Sequence, residues 1–281
     1  MADLEEVWRY RSGEPTSLMY TSPLVIDGML YGLSPSLDVF ALNASTGKEL
    51  WRNELALSGR AQRGLMWWQD GEDRRILFTA GNQLIALNAE SGDLIASFGD
   101  QGKLDLTPSM EGRGGIDVTV PGVIYRNKVI LGFSTSENSL AFPGTVRAFN
   151  VIDGSLEWTF HSIPLYGQAG SETWAEGALE IAGGANVWTG MALDEERGLL
   201  FAPTGSATPD FYGAKRVGDN LYANSLLALD ARTGELRWHY QVVKHDLWDR
   251  DNPAPPTLVQ IEIEGKIIDA VTLTTKSGHL Y

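Results

Sequence analysis

The stretch Ala41-Leu-Asn-Ala-Ser-Thr-Gly47-Lys-Glu-Leu-Trp51 recurs along the chain as Ala86-Leu-Asn-Ala-Glu-Ser-Gly92-Asp-Leu94, Ala148-Phe-Asn-Val-Ile-Asp-Gly154-Ser-Leu-Glu-Trp158 and Ala228-Leu-Asp-Ala-Arg-Thr-Gly234-Glu-Leu-Arg-Trp238. Each copy reads as strand, tight turn, strand. The Asn or Asp side chain starts the turn, the glycine takes a backbone angle that other residues avoid, and the tryptophan returns to pack on a neighbouring unit. Trp8, in Val7-Trp8-Arg9-Tyr10, reads as the end of an earlier copy.

Between the copies lie further strand pairs. Leu24-Val-Ile26 and Met29-Leu-Tyr31 flank Asp27-Gly28, a strong two-residue hairpin signal, and Val123-Ile-Tyr125 and Val129-Ile-Leu131 are joined through Arg126-Asn-Lys128. Four strands per period result. The turn glycines are spaced 45, 62 and 80 residues apart, so the first period has the length of a propeller blade and the later ones carry insertions. The predicted fold is all-β: residues 1–281 as one partial β-propeller domain of about four to five blades, with its working site near the central channel. The segment Asp269–Tyr281 breaks off where a further strand should continue, which predicts closure by a missing half or a second chain.

Composition narrows the chemistry. Of 281 residues, 36 are Asp or Glu and 22 are Lys or Arg, a net charge of −14 that speaks against a nucleic-acid partner held by a basic face. There is no cysteine, which excludes disulfides, thiolate metal sites, thiol nucleophiles and haem attached through cysteines. His161, His239, His245 and His279 show no metal-ligand spacing, and no glycine-rich phosphate loop or serine-nucleophile motif is present. The start Met1-Ala-Asp-Leu-Glu-Glu6 has neither the basic nor the apolar region of a secretory signal.

The Ala-x-Asn/Asp-x-x-Thr-Gly-x-x-x-Trp pattern, together with Asn186-Val-Trp188, Pro203-Thr-Gly-Ser-Ala-Thr-Pro-Asp-Phe-Tyr-Gly213 and His245-Asp-Leu-Trp-Asp249-Arg-Asp-Asn-Pro253, resembles the pyrroloquinoline-quinone (PQQ) dependent alcohol and sugar dehydrogenases, nearest to the membrane-bound glucose and polyol branch. The resemblance implies an eight-bladed quinoprotein propeller, of which this chain covers about the first half of the catalytic domain. It implies an activity: hydride transfer from a sugar, polyol or other alcohol to PQQ. It also implies Ca2+, with Mg2+ or a lanthanide as substitutes, a cytochrome or membrane quinone as electron acceptor, and a periplasmic location.

Residue by residue, the resemblance makes Asp249 the base for the hydroxyl proton and Lys276 the cation near the reactive carbonyl. Trp188 becomes the floor under the cofactor, and Arg63, Thr119 and Ser134 its edge contacts. Glu137, Asn138, Asp249 and Asp251 become the metal donors, a set of hard oxygens suited to calcium. His245 is expected to be a hydrogen-bonding neighbour rather than a ligand. Each has a plain alternative: a turn-capping Asp, a solvated loop Glu, a core Trp, a surface Arg or Lys.

The departures are specific too. Ser206 stands where alcohol-oxidising members carry Asn, Leu57-Ser58 where they carry adjacent cysteines, Gly59 where sugar-oxidising members carry His, and Tyr20 where a cofactor-contacting Glu is usual. A non-catalytic scaffold propeller of the same superfamily is the competing reading.

Overall fold

In the computed structural model, residues 4–13, 19–60, 62–107 and 112–281 are described. Met1, Ala2 and Asp3 of the N-terminal stretch read above for a signal lie outside them. Contacts divide the chain into two compact units, Met1–Leu106 with Asp117–Pro121, and Thr107–Ile116 with Gly122–Tyr281.

The first unit holds two antiparallel four-stranded sheets in simple up-and-down order. One comprises β1 (Leu24–Ile26), β2 (Met29–Leu33), β3 (Val39–Asn43) and β4 (Glu49–Asn53). The other comprises β5 (Met66–Asp70), β6 (Asp73–Ala80), β7 (Gln83–Asn88) and β8 (Lys103–Asp105). The inner strands read as nearly continuous apolar runs because both of their faces are covered. Tyr31, Leu33, Val39, Ile76, Phe78, Ile85 and Leu87 form one buried cluster. Asp27 and Gly28 both adopt positive φ, 50° and 78°, as the hairpin signal required.

The second unit repeats the design. One sheet has β9 (Val123–Tyr125), β10 (Lys128–Leu131), β11 (Thr145–Asn150) and β12 (Leu156–His161). Lys128 already belongs to β10 and pairs with Tyr125, so the connecting turn is Arg126-Asn127 alone. After a one-turn helix, α1 (Ala178–Ile181), come β13 (Gly183–Gly184), β14 (Ala192–Asp194), β15 (Leu199–Pro203), β16 (Ala207–Thr208), β17 (Ser225–Asp230) and β18 (Leu236–Gln241). Strands β14, β15, β17 and β18 make a four-stranded sheet, and β13 pairs with β16. The last pair, β19 (Thr257–Ile263) and β20 (Lys266–Thr272), turns at Glu264-Gly265 and forms a two-stranded sheet of its own. Among the described residues there are thus four complete blades, as the repeat predicted.

The repeat motif does one mechanical job each time. Asn43 Oδ1 accepts from the N–H groups of Ser45 and Thr46, Asn88 Oδ1 from Glu90 and Ser91, Asn150 Oδ1 from Ile152 and Asp230 Oδ1 from Arg232. Opposite the tryptophan stands the repeat's alanine, Ala41 with Trp51, Ala148 with Trp158 and Ala228 with Trp238, and a bulge follows directly in all three blades. The indole then crosses to the next turn. Trp8 Nε1 donates to Ala44 O at 3.1 Å, Trp51 Nε1 to Ala89 O at 3.1 Å and Trp158 Nε1 to Ala231 O at 3.3 Å. A Cβ on Gly47, Gly92 or Gly234 would lie 2.5 Å from the docked ring, so these positions need glycine twice over, for φ between 69° and 78° and for the ring.

Candidate active site

The residues singled out by sequence sit in the loops that follow the strands. Ser134, Glu137 and Asn138 follow β10, Trp188 lies between β13 and β14, Asp249 and Asp251 lie between β18 and β19, and Lys276 follows β20. All seven belong to the second unit. Arg63 and Thr119 belong to the first, where the Arg63 N–H donates to Thr119 O at 3.0 Å; the Arg63 side chain is exposed and Thr119 is buried.

Within the second unit the structure gathers a charged cluster. Lys276 Nζ donates to Asp249 at 2.9 and 2.8 Å and to Asp251 Oδ2 at 3.2 Å. The other oxygen of Asp251 accepts the Ser206 N–H at 2.6 Å. Trp188 joins them through Gly205: a Cβ there would meet Asp251 Oδ1 at 2.6 Å and the Trp188 indole nitrogen at 3.3 Å. The absent side chain is what lets an indole and a carboxylate share that spot.

Burial pushes the Asp249 carboxyl up; the Lys276 hydrogen bond pulls it back down and the Asp251 charge pushes it up again, for a net rise. Burial works against the Lys276 ammonium, but hydrogen bonding and charge from Asp249 and Asp251 outweigh it, so Lys276 is held above its usual range. Both shifts describe a lysine shared by two acids in a partly dry setting.

Asp210 lies in the Pro203–Gly213 stretch. It is 5% exposed, its Oδ1 is buried without a hydrogen-bond partner, and its carboxyl is pushed up to about 8. Burial is the main cause, followed by the negative charges of Asp251, Asp249 and Glu137, with Arg216 opposing. Glu137, exposed on its loop, therefore acts on the same electrostatic neighbourhood as Asp249 and Asp251. Asn138 is exposed.

Two departures find a structural reason. A Cβ at Gly59 would come 2.8 Å from the Gly81 backbone nitrogen, so a histidine does not fit there. Ser206 does not merely replace an amide: its hydroxyl donates to Asp246 at 2.5 Å. His245 Nδ1 lies 3.0 Å from Gly218 O.

The whole chain, residues 1–281, matches the family model described as PQQ: glucose/ethanol/alcohol dehydrogenase, beta-propeller domain. The chain belongs to that family. It is 30% identical over 316 residues to the quinoprotein glucose dehydrogenase of Escherichia coli (strain K12), covering 99% of this chain and 38% of the relative. It is also 30% identical over 326 residues to the quinate/shikimate dehydrogenase (quinone) of Acinetobacter baylyi, covering 100% and 39%. Among solved structures, the quinohemoprotein alcohol dehydrogenase ADHIIG of Pseudomonas putida HK5 aligns with a TM-score of 0.80 at 25% identity, over 96% of this chain and 41% of that one. The Comamonas testosteroni quinohemoprotein alcohol dehydrogenase aligns with a TM-score of 0.79 at 26% identity, over 94% and 41%. The chain thus spans about two fifths of the length of these PQQ-family relatives, and its blades form a partial quinoprotein propeller.

In chemistry, though not as a gathered cluster, the residues suit the family's groups, with hard oxygens for a cation and an indole face for a flat ring. Among the described residues no three His, Asp or Glu side chains are gathered to hold a metal. The three carboxylates of Glu137, Asp249 and Asp251 and the amide of Asn138 would need oxygens from a bound ligand to fill the six to eight positions calcium takes. Asp210, raised first by burial and then by the charges of Asp251, Asp249 and Glu137, has an oxygen without a hydrogen-bond partner, and a cation near those three carboxylates would relieve the charge part of that rise. The gap at Gly205 leaves the Trp188 indole unobstructed by a Cβ.

Proposed function

We propose that the protein oxidises a sugar, polyol or other alcohol with PQQ and a divalent cation, Ca2+ first, with Mg2+ or a lanthanide able to substitute. The observation that supports this best is the bridge from Lys276 to Asp249 and Asp251 beside Trp188. When bound, PQQ supplies the quinone carbonyl that accepts hydride, the difficult part of the chemistry. Asp249 takes the substrate hydroxyl proton; burial raises its carboxyl above the ordinary carboxylate value, which strengthens it as a proton acceptor. Lys276 keeps its proton and offers a positive charge to developing negative charge, while holding Asp249 in place.

Trp188 provides an aromatic face, and Ser134 a polar edge contact. Glu137, Asn138, Asp249 and Asp251 provide oxygen donors for the cation. Arg63 and Thr119 are proposed as cofactor contacts on family resemblance alone. The electron acceptor is proposed as a cytochrome or a membrane quinone, and the location as the periplasm, on family resemblance alone.

The test is reconstitution with PQQ and CaCl2. Quenching of tryptophan fluorescence at micromolar PQQ, and dye reduction with a panel of glucose, quinate and ethanol, are expected. Asp249→Asn should keep the quenching and lose the dye reduction. Absence of quenching would instead favour the scaffold propeller.

A further inference from the structure

The His-Asp-Leu-Trp-Asp stretch carries two aspartates, and the first is the more buried. Asp246 is 3% exposed, and its carboxylate accepts four hydrogen bonds. Oδ1 takes the Trp248 N–H at 3.0 Å; Oδ2 takes the Arg250 N–H at 2.5 Å, the Ser206 hydroxyl at 2.5 Å and the Asn224 amide at 3.0 Å. The backbone around it is clamped as well. Arg216 Nη2 donates to Asp246 O at 2.6 Å, and Asn224 donates also to Arg250 O at 3.0 Å.

Residues 248 and 250 stand on either side of Asp249, whose own φ is 53°, in the left-handed region that non-glycine residues seldom enter. Such a conformation persists when its surroundings over-determine it, and the Asp246 carboxylate binds both neighbouring amides. Ser206 extends the chain of contacts, since its hydroxyl holds Asp246 while its N–H holds Asp251.

We propose that Asp246 is the positioning residue that aims the Asp249 carboxylate and, through Ser206, that of Asp251. This rests on the reading of Asp249 as the base. An ionised carboxylate only accepts hydrogen bonds, so it suits four converging donors; an amide in its place would turn an NH2 toward at least one of them.

The test uses Asp246→Asn, Ser206→Ala, Asp249→Asn and the Asp246→Asn/Asp249→Asn double variant of the whole chain. In the PQQ- and calcium-loaded protein, Asp246→Asn is expected to lower kcat about 10- to 100-fold with KM little changed, the usual cost of losing a partner that orients a functional group. Adding it to Asp249→Asn should cost less than about 3-fold more, because its effect passes through Asp249. Without cofactor, terbium luminescence sensitised by tryptophan should report about 10-fold weaker binding in Asp246→Asn, at an unchanged circular-dichroism spectrum.

If Asp246→Asn does not fold, Ser206→Ala, which removes one of the four donors, should show the same two effects at about 3- to 10-fold. Normal kcat and terbium affinity in either folded variant, or full additivity in the double variant, would overturn the proposal. Unchanged turnover in Asp249→Asn would overturn the base itself. A dead Asp249→Asn beside an unaffected Asp246→Asn would remove only the positioning role.

Discussion

Lys276 bridges both oxygens of Asp249, at 2.9 and 2.8 Å, from a position 27 residues further along the chain and across the β19–β20 hairpin. The lysine is the one contribution at Asp249 that lowers its carboxyl through a hydrogen bond, against burial and Asp251. Lys276→Met should therefore raise the Asp249 pKa further, and the acid limb of the kcat profile should move to higher pH. Loss of a charge aimed at the developing negative charge should also cost on the order of 10²-fold in kcat. A pH–rate profile of the reconstituted protein checks both.

Asp210 should make stability pH-dependent. Its carboxyl, ordinarily near 3.8, lies at about 8 in the folded protein. The folded state holds that proton more tightly, so the contribution is fully present below about pH 3.8, fades as pH rises and is gone above about 8. Asp210→Asn should match the wild type near pH 4.5 and be more stable at pH 8.5 by about 1–3 kcal/mol, read by urea unfolding at both pH values.

Calcium should act on the same group. A cation among Glu137, Asp249 and Asp251 reverses the repulsion that helps to raise Asp210, so binding should release protons near pH 7.5. Calorimetric titrations in buffers of different ionisation enthalpy measure that release, and Asp210→Asn should reduce it.

Gly205→Ala should damage the site while sparing the fold. The added Cβ would press on Asp251 Oδ1 at 2.6 Å and approach the Trp188 nitrogen. PQQ affinity by fluorescence quenching is expected to fall about 10-fold or more, at a nearly unchanged unfolding midpoint.

The docking tryptophans should divide by burial. Trp158, buried and bonded to Ala231 O, should cost about 3–5 kcal/mol when replaced by alanine. Trp238, 42% exposed, occupies the same register without a docked turn among the described residues, and should cost about 1 kcal/mol or less. Gly92→Ala should rival the first, since it combines φ of 78° with a 2.5 Å approach to Trp51. Denaturant midpoints of the three variants order them.

The blades were legible in the sequence because every device that makes them is local. An Asx side chain bonds amides two and three residues on, a glycine supplies positive φ within the same turn, and the tryptophan four residues later is fixed in register by the pairing of adjacent strands. The residue types Asp249, Asp251, Trp188 and Lys276 were legible as well, but as family motifs with their roles attached.

Only the tertiary structure decided who meets whom. Nothing in the spacing tells that Lys276 spans Asp249 and Asp251, that Gly205 makes room for an indole beside a carboxylate, or that Ser206 turns its hydroxyl to Asp246. Asp210 and Asp246 lie within sequence motifs, yet their importance comes from burial and from charges and donors contributed by distant loops. Desolvation and convergence are properties of packed space, and a one-dimensional string states neither.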